Sequence, residues 1–353
     1  GDGYGDLQED LESDQGFGLV YNPLDADSYP PADKAKDADM DGIADADDSD
    51  IDNDGLLNTE EIVVGSSLYL ADTDGDGADD GVEFLYGYDP NDPFNFPYHG
   101  IVSNTVIDGS NQSSDGWVYM VPDASGNTVI LENVTVLEGT HLMLDKDAIV
   151  NFSNSWLEGG LNAPVVIRMT GLGSGKLTLS GDSVAQYINA KLSTDLELQS
   201  NTKVYFSDLS GNSIDAYGLI DHSAIQLRGV IHSNGANHSI RSSYIYGAGG
   251  IYTDPNVLNP SITDSFVRTG SSGFRGNVEQ SFIAKDKLGY FEITGLFLDS
   301  IVWMGTSASS TVIKGSDVRV LGANSFTMHL NDSYIENSDG TQSYVGLGDA
   351  GTE

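Results

Sequence analysis

The chain has 353 residues, 54 acidic against 15 basic, a formal net charge of −39 and no cysteine. That balance argues against a nucleic-acid partner, which needs clustered Lys and Arg, and leaves no disulfide and no thiolate-ligated zinc. No uninterrupted apolar run of about 18 residues occurs, so no transmembrane helix is expected in this stretch of chain.

The acidic residues crowd the first 100 positions, which hold 28 Asp and Glu against only Lys34 and Lys36. A segment so charged repels itself unless cations neutralise it. Residues 1–9 read as the end of an Asp-rich loop, with Asp2, the Tyr4 carbonyl, Asp6 and Glu9 as candidate metal ligands. A copy cut at Gly1 is what a piece of a longer protein would show. Residues 1–36 are this partial copy followed by a connector rich in Pro, Tyr and Asp, such as Asn22-Pro23-Leu24-Asp25-Ala26-Asp27.

Three complete copies of one twelve-residue pattern follow, Asp-x-Asp-x-Asp-Gly-x-x-(Asp/Asn)-x-x-(Asp/Glu), at 37–48, 50–61 and 72–83. Calcium takes about 6–8 oxygens, and a loop with side-chain oxygens at its first, third, fifth and twelfth positions and a carbonyl at its seventh can wrap one ion; Gly at the sixth makes the sharp turn. The candidate ligands are Asp37, Asp39, Asp41, the Ile43 carbonyl, Asp45 and Asp48 in the first loop. In the second they are Asp50, Asp52, Asp54, the Leu56 carbonyl, Asn58 and Glu61. In the third they are Asp72, Asp74, Asp76, the Ala78 carbonyl, Asp80 and Glu83. Magnesium, which demands octahedral geometry and retains water, fits the donor set less well.

The loops start 13 and then 22 residues apart, and the shorter gap leaves no room for the helix on each side that an EF-hand needs. This spacing resembles thrombospondin type 3 repeats of bacterial surface and secreted proteins, over residues 37–92 and in part over 1–9. The resemblance implies an irregular calcium-loop repeat segment, a chain wrapped round a string of ions with little regular secondary structure. Without cysteine, ion binding alone would hold it. Asp89-Pro90-Asn91-Asp92-Pro93-Phe94-Asn95-Phe96-Pro97 cannot continue a helix or a central strand, so the repeat segment 37–97 is expected to end there.

From residue 98 to 353 short runs of Val, Ile, Leu, Thr, Phe and Tyr alternate with Gly, Asn, Ser and Asp clusters, as in Thr128-Val129-Ile130-Leu131 and Lys176-Leu177-Thr178-Leu179. These read as many short strands, and the domain as all-β. A Ser followed two places later by an aliphatic residue recurs at Ser207, Ser223, Ser243, Ser265, Ser281, Ser300, Ser316 and Ser333, at intervals of 16, 20, 22, 16, 19, 16 and 17. Repeats of this length predict a solenoid in which coil stacks on coil, whereas a sandwich turns every 8–12 residues or so. The periodicity resembles the right-handed parallel β-helix of the pectate-lyase-like superfamily, which at about 4.8 Å per coil implies a stack around 60 Å long.

Alternation in a strand puts the aliphatic residue and the Ser on the inner face, and the intervening residue on the outer one. The outer columns hold Tyr244, Phe266, Phe282 and Tyr334, then Tyr246, Arg268, Trp303 and Arg319, a candidate aromatic binding surface for a protein partner or for sugar rings. Lyases of this superfamily need a cation and an Arg or Lys base. Leu219-Ile220-Asp221-His222 bears a faint likeness to their signature, but their Arg-x-Pro-x-x-Arg pattern is absent. The expectation is a secreted or cell-surface structural protein, calcium-stiffened, that self-associates or adheres to another surface protein. A polysaccharide-active enzyme and a non-catalytic glycan-binding module stand as alternatives.

Overall fold

The computed structural model describes residues 37–122 and 126–233, and beyond these the strand segments between positions 240 and 345, whose side chains are described up to Arg268 and at Ser281. Asp2, Asp6 and Glu9 lie outside the described residues, and Phe282, Trp303, Arg319 and Tyr334 are described as backbone only. The chain divides into two compact units, Gly1–Pro97 and Tyr98–Glu353.

In the first unit, helix α1 spans Asn58–Val64 and helix α2 spans Asp80–Tyr86. Both are closed by a left-handed glycine, Gly65 (φ 87) and Gly87 (φ 79), the conformation glycine reaches without a Cβ penalty. Glu60 reaches back from α1 to the Leu57 N–H at 3.2 Å, half of a capping box. These helices correct the expectation of a segment with little regular structure. They fit because the ninth to twelfth positions of the second and third loops serve as the first helical turn, so a helix begins before the loop has ended. Between the first and second loops, where one residue intervenes, no helix forms.

The second unit is a parallel β-helix. Strands follow one another through three sheets, and as far as Phe291–Thr294 each hydrogen-bonds to the strand three later in the chain, giving among the described residues sheets of 12, 10 and 13 strands. One coil reads Thr128–Glu132, Thr135–Leu137 and His141–Leu144 before the chain returns at Ile149–Ser153 to pair in parallel with the first. The last described strand, Gln342–Val345, pairs antiparallel with Ser333–Glu336. Inward residues stack in register: Ile107, Val136, Leu157, Ala185, Val204, Ile220, Ile240 and Ile262 form one column of the 10-stranded sheet, every member buried. Burying each of the larger members is worth about 1.5–3 kcal/mol.

The turns repeat as regularly as the strands. Asn104, Asn133 and Asn154 take φ of 54, 54 and 48° where the chain leaves the 12-stranded sheet, a conformation in which Asn is enriched. At the next turn Phe206, His222, Ser242 and Asp264 are left-handed and each precedes a buried serine. Ser207 N–H donates to Ser223 Oγ, Ser223 N–H to Ser243 Oγ, Ser243 N–H to Ser265 Oγ and Ser265 N–H to Ser281 Oγ, all at 3.1–3.2 Å. These sequence separations of 16, 20, 22 and 16 are the spacing of the Ser repeat.

The register departs from the sequence alignment in the last coils. Ile301 pairs with Arg319 and Arg319 with Tyr334, while Trp303 pairs with Leu321. Arg319 therefore joins the column of Tyr244 and Phe266, and Val320 replaces Val318 beside Val302. Ser316 ends the strand Thr311–Ser316 of the 12-stranded sheet, and the next described strand, Val318–Leu321, already belongs to the 13-stranded one. The intervening strand of the 10-stranded sheet is absent among the described residues, so Ser316 does not occupy the corner that Ser265 occupies.

Candidate metal centre

Each of the three loops gathers its first, third and fifth carboxylates: Asp37, Asp39 and Asp41; Asp50, Asp52 and Asp54; Asp72, Asp74 and Asp76 each bring one oxygen within 4.8 Å of the others. The loop holds them by using one oxygen of most carboxylates on the backbone. The N–H of the sixth-position glycine donates to the first carboxylate, Gly42 to Asp37 Oδ2 at 3.1 Å, Gly55 to Asp50 Oδ2 at 3.2 Å and Gly77 to Asp72 Oδ2 at 2.9 Å. These glycines have φ of 97, 92 and 101°, so another residue would be strained there. The fifth carboxylate accepts from the seventh N–H: Asp41 from Ile43, Asp54 from Leu56 and Asp76 from Ala78, at 2.7, 2.7 and 2.9 Å.

The second oxygens are what remains for a ligand. Asp50 Oδ1, both oxygens of Asp52, Asp74 Oδ2 and both oxygens of Glu61 and of Glu83 are buried with no hydrogen-bond partner, as are Asp37 Oδ1 and Asp39 Oδ2. Glu61 and Glu83, at the twelfth positions, are wholly buried. Burial, reinforced by the charges of Asp52 and its neighbours, pushes Glu61 up to about 7; burial and then Asp76 and Asp74 push Glu83 up to about 9. Burial, with Asp54 and Asp50, raises Asp52 to about 6. Buried carboxylates crowded together without hydrogen bonds are costly unless a cation compensates them. The donor set is oxygen alone, which suits a hard metal ion. The residues therefore fit such an ion.

The ninth-position residues brace their loops. Asp45 Oδ1 accepts from Ala38 N–H at 2.9 Å, Asn58 Oδ1 from Ile51 N–H at 3.0 Å, and Asp80 from Thr73 N–H and hydroxyl at 2.8 and 2.6 Å. Each ties the end of its loop to the loop's second residue. Asp48 gives Oδ1 to the Asp50 N–H at 2.9 Å and is only partly buried, so the first loop lacks the enclosed carboxylate that Glu61 and Glu83 supply.

On the solenoid, Ile225, Ile245 and Val267 are fully buried, while Tyr244 and Phe266 are 43% and 39% exposed. Their rings stack at 5.4 Å and 8°, and the Arg268 guanidinium lies 5.7 Å over the Tyr246 ring, within cation–π range. Ala224 sits in register on the other side of Tyr244. A second row was not anticipated. Tyr187 and Phe206 stack at 5.2 Å and 14°, and His222 lies 5.2 Å from Phe206 at a tilt of 38°, all three at left-handed turn positions. Phe206 and His222 stand just before the repeating Ser207 and Ser223, whereas Tyr187 stands before Ile188. Asp221, 5% exposed, takes Arg241 Nε at 2.8 Å and has His222 Nδ1 at 2.8 Å. That is one carboxylate bonded to an arginine beside a histidine, where a lyase groove calls for several carboxylates converging on a base.

Comparison with known family models, curated proteins and solved structures finds no match.

Proposed function

We propose that this protein is a secreted or cell-surface structural protein, in which calcium ions hold the 37–97 segment and the β-helix presents an assembly or adhesive surface. The observation that carries the reading is the pair of fully buried glutamates, Glu61 and Glu83, with no hydrogen bond on any of their four oxygens, Asp50, Asp52 and Asp54 charging the surroundings of the first and Asp72, Asp74 and Asp76 those of the second. Calcium is the hard cation whose loop coordination uses this sequence of oxygens, and extracellular calcium fills even weak sites of this kind. The likeness of the loop spacing to bacterial thrombospondin type 3 repeats supports the same compartment. So does a cysteine-free chain with net charge −39, which cations would partly neutralise.

Limited proteolysis with and without a calcium chelator tests this. In chelator, cuts should appear throughout 37–97 while the described coils of the β-helix survive; identical digestion patterns in the two buffers would reject the calcium reading. The exposed Tyr244–Phe266 stack favours a second reading of the β-helix surface, a non-catalytic platform for sugar rings. Retention on immobilised polysaccharide, lost in Tyr244→Ala, would favour it over assembly.

A further inference from the structure

The three loops are not equivalent. The second and third are copies 22 residues apart, each running into a seven-residue helix and a left-handed glycine. Their seventh-position side chains, Leu56 and Ala78, are 1% and 3% exposed, against 47% for Ile43 in the first loop. A direct bond joins the pair: the Gly81 N–H, in the first turn of α2, donates to Asp54 Oδ2 at 2.9 Å. Asp54 thus spends one oxygen on Leu56 N–H in its own loop and the other on the third loop. The approach is so close that a Cβ on Gly81 would lie 2.4 Å from the Asp54 carbonyl oxygen and 2.9 Å from the Leu56 nitrogen.

We propose that the second and third loops form one coupled calcium-binding unit, joined through Gly81 and Asp54, while the first loop fills separately. This rests on the calcium reading and specifies how those sites are regulated. Gly81 and Glu83 share the first turn of α2. An ion that draws Glu83 onto Asp72, Asp74 and Asp76 fixes that turn, and with it the Gly81 N–H on Asp54. Asp54 is then already oriented when the second loop binds. Whatever the third loop does for the second, the second must do for the third, because coupling of binding free energies is reciprocal. Among the described residues the first loop has no such partner group: its twelfth residue, Asp48, accepts from Asp50 N–H, and no helix follows it.

Amide NMR on the full chain separates the three sites, because Gly42, Gly55 and Gly77 each donate to the first carboxylate of their own loop. Calcium chloride is titrated into the chelator-stripped protein. Gly55 and Gly77 should move together, with a slope steeper than one-site binding, and Gly42 at a different midpoint. In Glu83→Gln the Gly55 midpoint should rise at least about 5-fold, and in Glu61→Gln the Gly77 midpoint likewise, the low end of ordinary coupling factors. Gly81→Ala should leave all three glycines responsive but split Gly55 from Gly77 into independent one-site curves. An unchanged Gly55 midpoint in Glu83→Gln would overturn the coupling and leave the calcium reading standing. Glycine resonances that never move in the unmutated protein would overturn both. Should Gly81→Ala fail to fold, the Glu83→Gln and Glu61→Gln titrations decide.

Discussion

A carboxylate has two oxygens, and in these loops the two have different uses. Asp50 gives Oδ2 to Gly55 and leaves Oδ1 without a partner; Asp74 gives Oδ1 to Asp76 and leaves Oδ2. The backbone bond sets the turn, and the turn aims the remaining oxygen. A carboxylate with all its bonds made inside the fold behaves oppositely under acid. At Asp115 burial pushes the carboxyl up, but bonds from the Ser113 hydroxyl, Tyr119 Oη and Trp117 N–H outweigh it and hold it below the usual range. Its folded pKa is depressed, so its contribution to stability is present above the unfolded carboxylate value and lost as pH falls through the folded one. Thermal melts of Asp115→Asn and the unmutated protein should therefore differ at pH 6 and converge towards pH 2; a constant difference would contradict this. At this scale the carboxylates that each loop gathers from its first, third and fifth positions were legible in the sequence, because the loop pattern that a ligand would require is also the pattern that sets the turn. The sequence did not show that Asp45, Asn58 and Asp80 brace their loops, because an Asp that accepts from an amide and one that faces an ion are the same letter.

The element that repeats most faithfully in the β-helix is a corner, not a strand. A left-handed residue turns the chain, and the following serine bonds twice: Ser223 Oγ donates to the Asp221 carbonyl at 2.8 Å and accepts the Ser207 N–H from the preceding coil. Ser243 and Ser265 do the same one and two coils on. The hydroxyl satisfies a buried amide where the ladder of the sheets is interrupted, which is why a polar residue sits in an aliphatic interior. Ser223→Ala should leave the Ser207 N–H unsatisfied and cost about 1–3 kcal/mol. Urea unfolding would read this as a shifted midpoint, whereas Ser210→Ala, on a partly exposed position of the next strand, should shift it little. No change in Ser223→Ala would mean that the column is incidental. The column was legible because its spacing is the coil length. Two things hid other elements. The helices α1 and α2 are seven residues long and share their first turn with an Asp-rich loop, too short for a 3.6-residue stripe to register. And at Ser316 a serine stands in the right spacing but in a strand, where only the pairing partners reveal that a corner is missing.

At the scale of the whole chain the two units draw their stability from different sources. The β-helix buries unbroken aliphatic columns, so its coils persist without a ligand. The 37–97 segment buries few apolar side chains, among them Ile51, Leu56, Ala78 and Tyr88, and exposes Ile62, Val63, Phe84 and Leu85. On the calcium reading proposed above, its order and its ion binding are the same free energy. What such a chain could assemble through is constrained by charge. At −39, like copies repel over roughly a Debye length, about 8 Å at physiological salt, so self-association has to come from short-range apolar contact where charge is locally sparse. Among the described residues the Tyr244–Phe266 stack, with Ala224 beside it and Arg268 over Tyr246, offers exposed rings for such contact. Aromatic residues and Arg are what interface cores favour, and a few of them dominate binding energy. Sedimentation velocity in calcium buffer should accordingly show association that strengthens with salt and concentration. The double variant Tyr244→Ser, Phe266→Ser should weaken it at least about tenfold, the effect of losing one interface anchor worth more than about 1 kcal/mol at each position. Both side chains are already some two-fifths exposed, so the monomer's urea midpoint should scarcely move. A protein that sediments as a monomer at every concentration and salt would remove assembly through this surface and leave the sugar platform as the reading of its exposed rings.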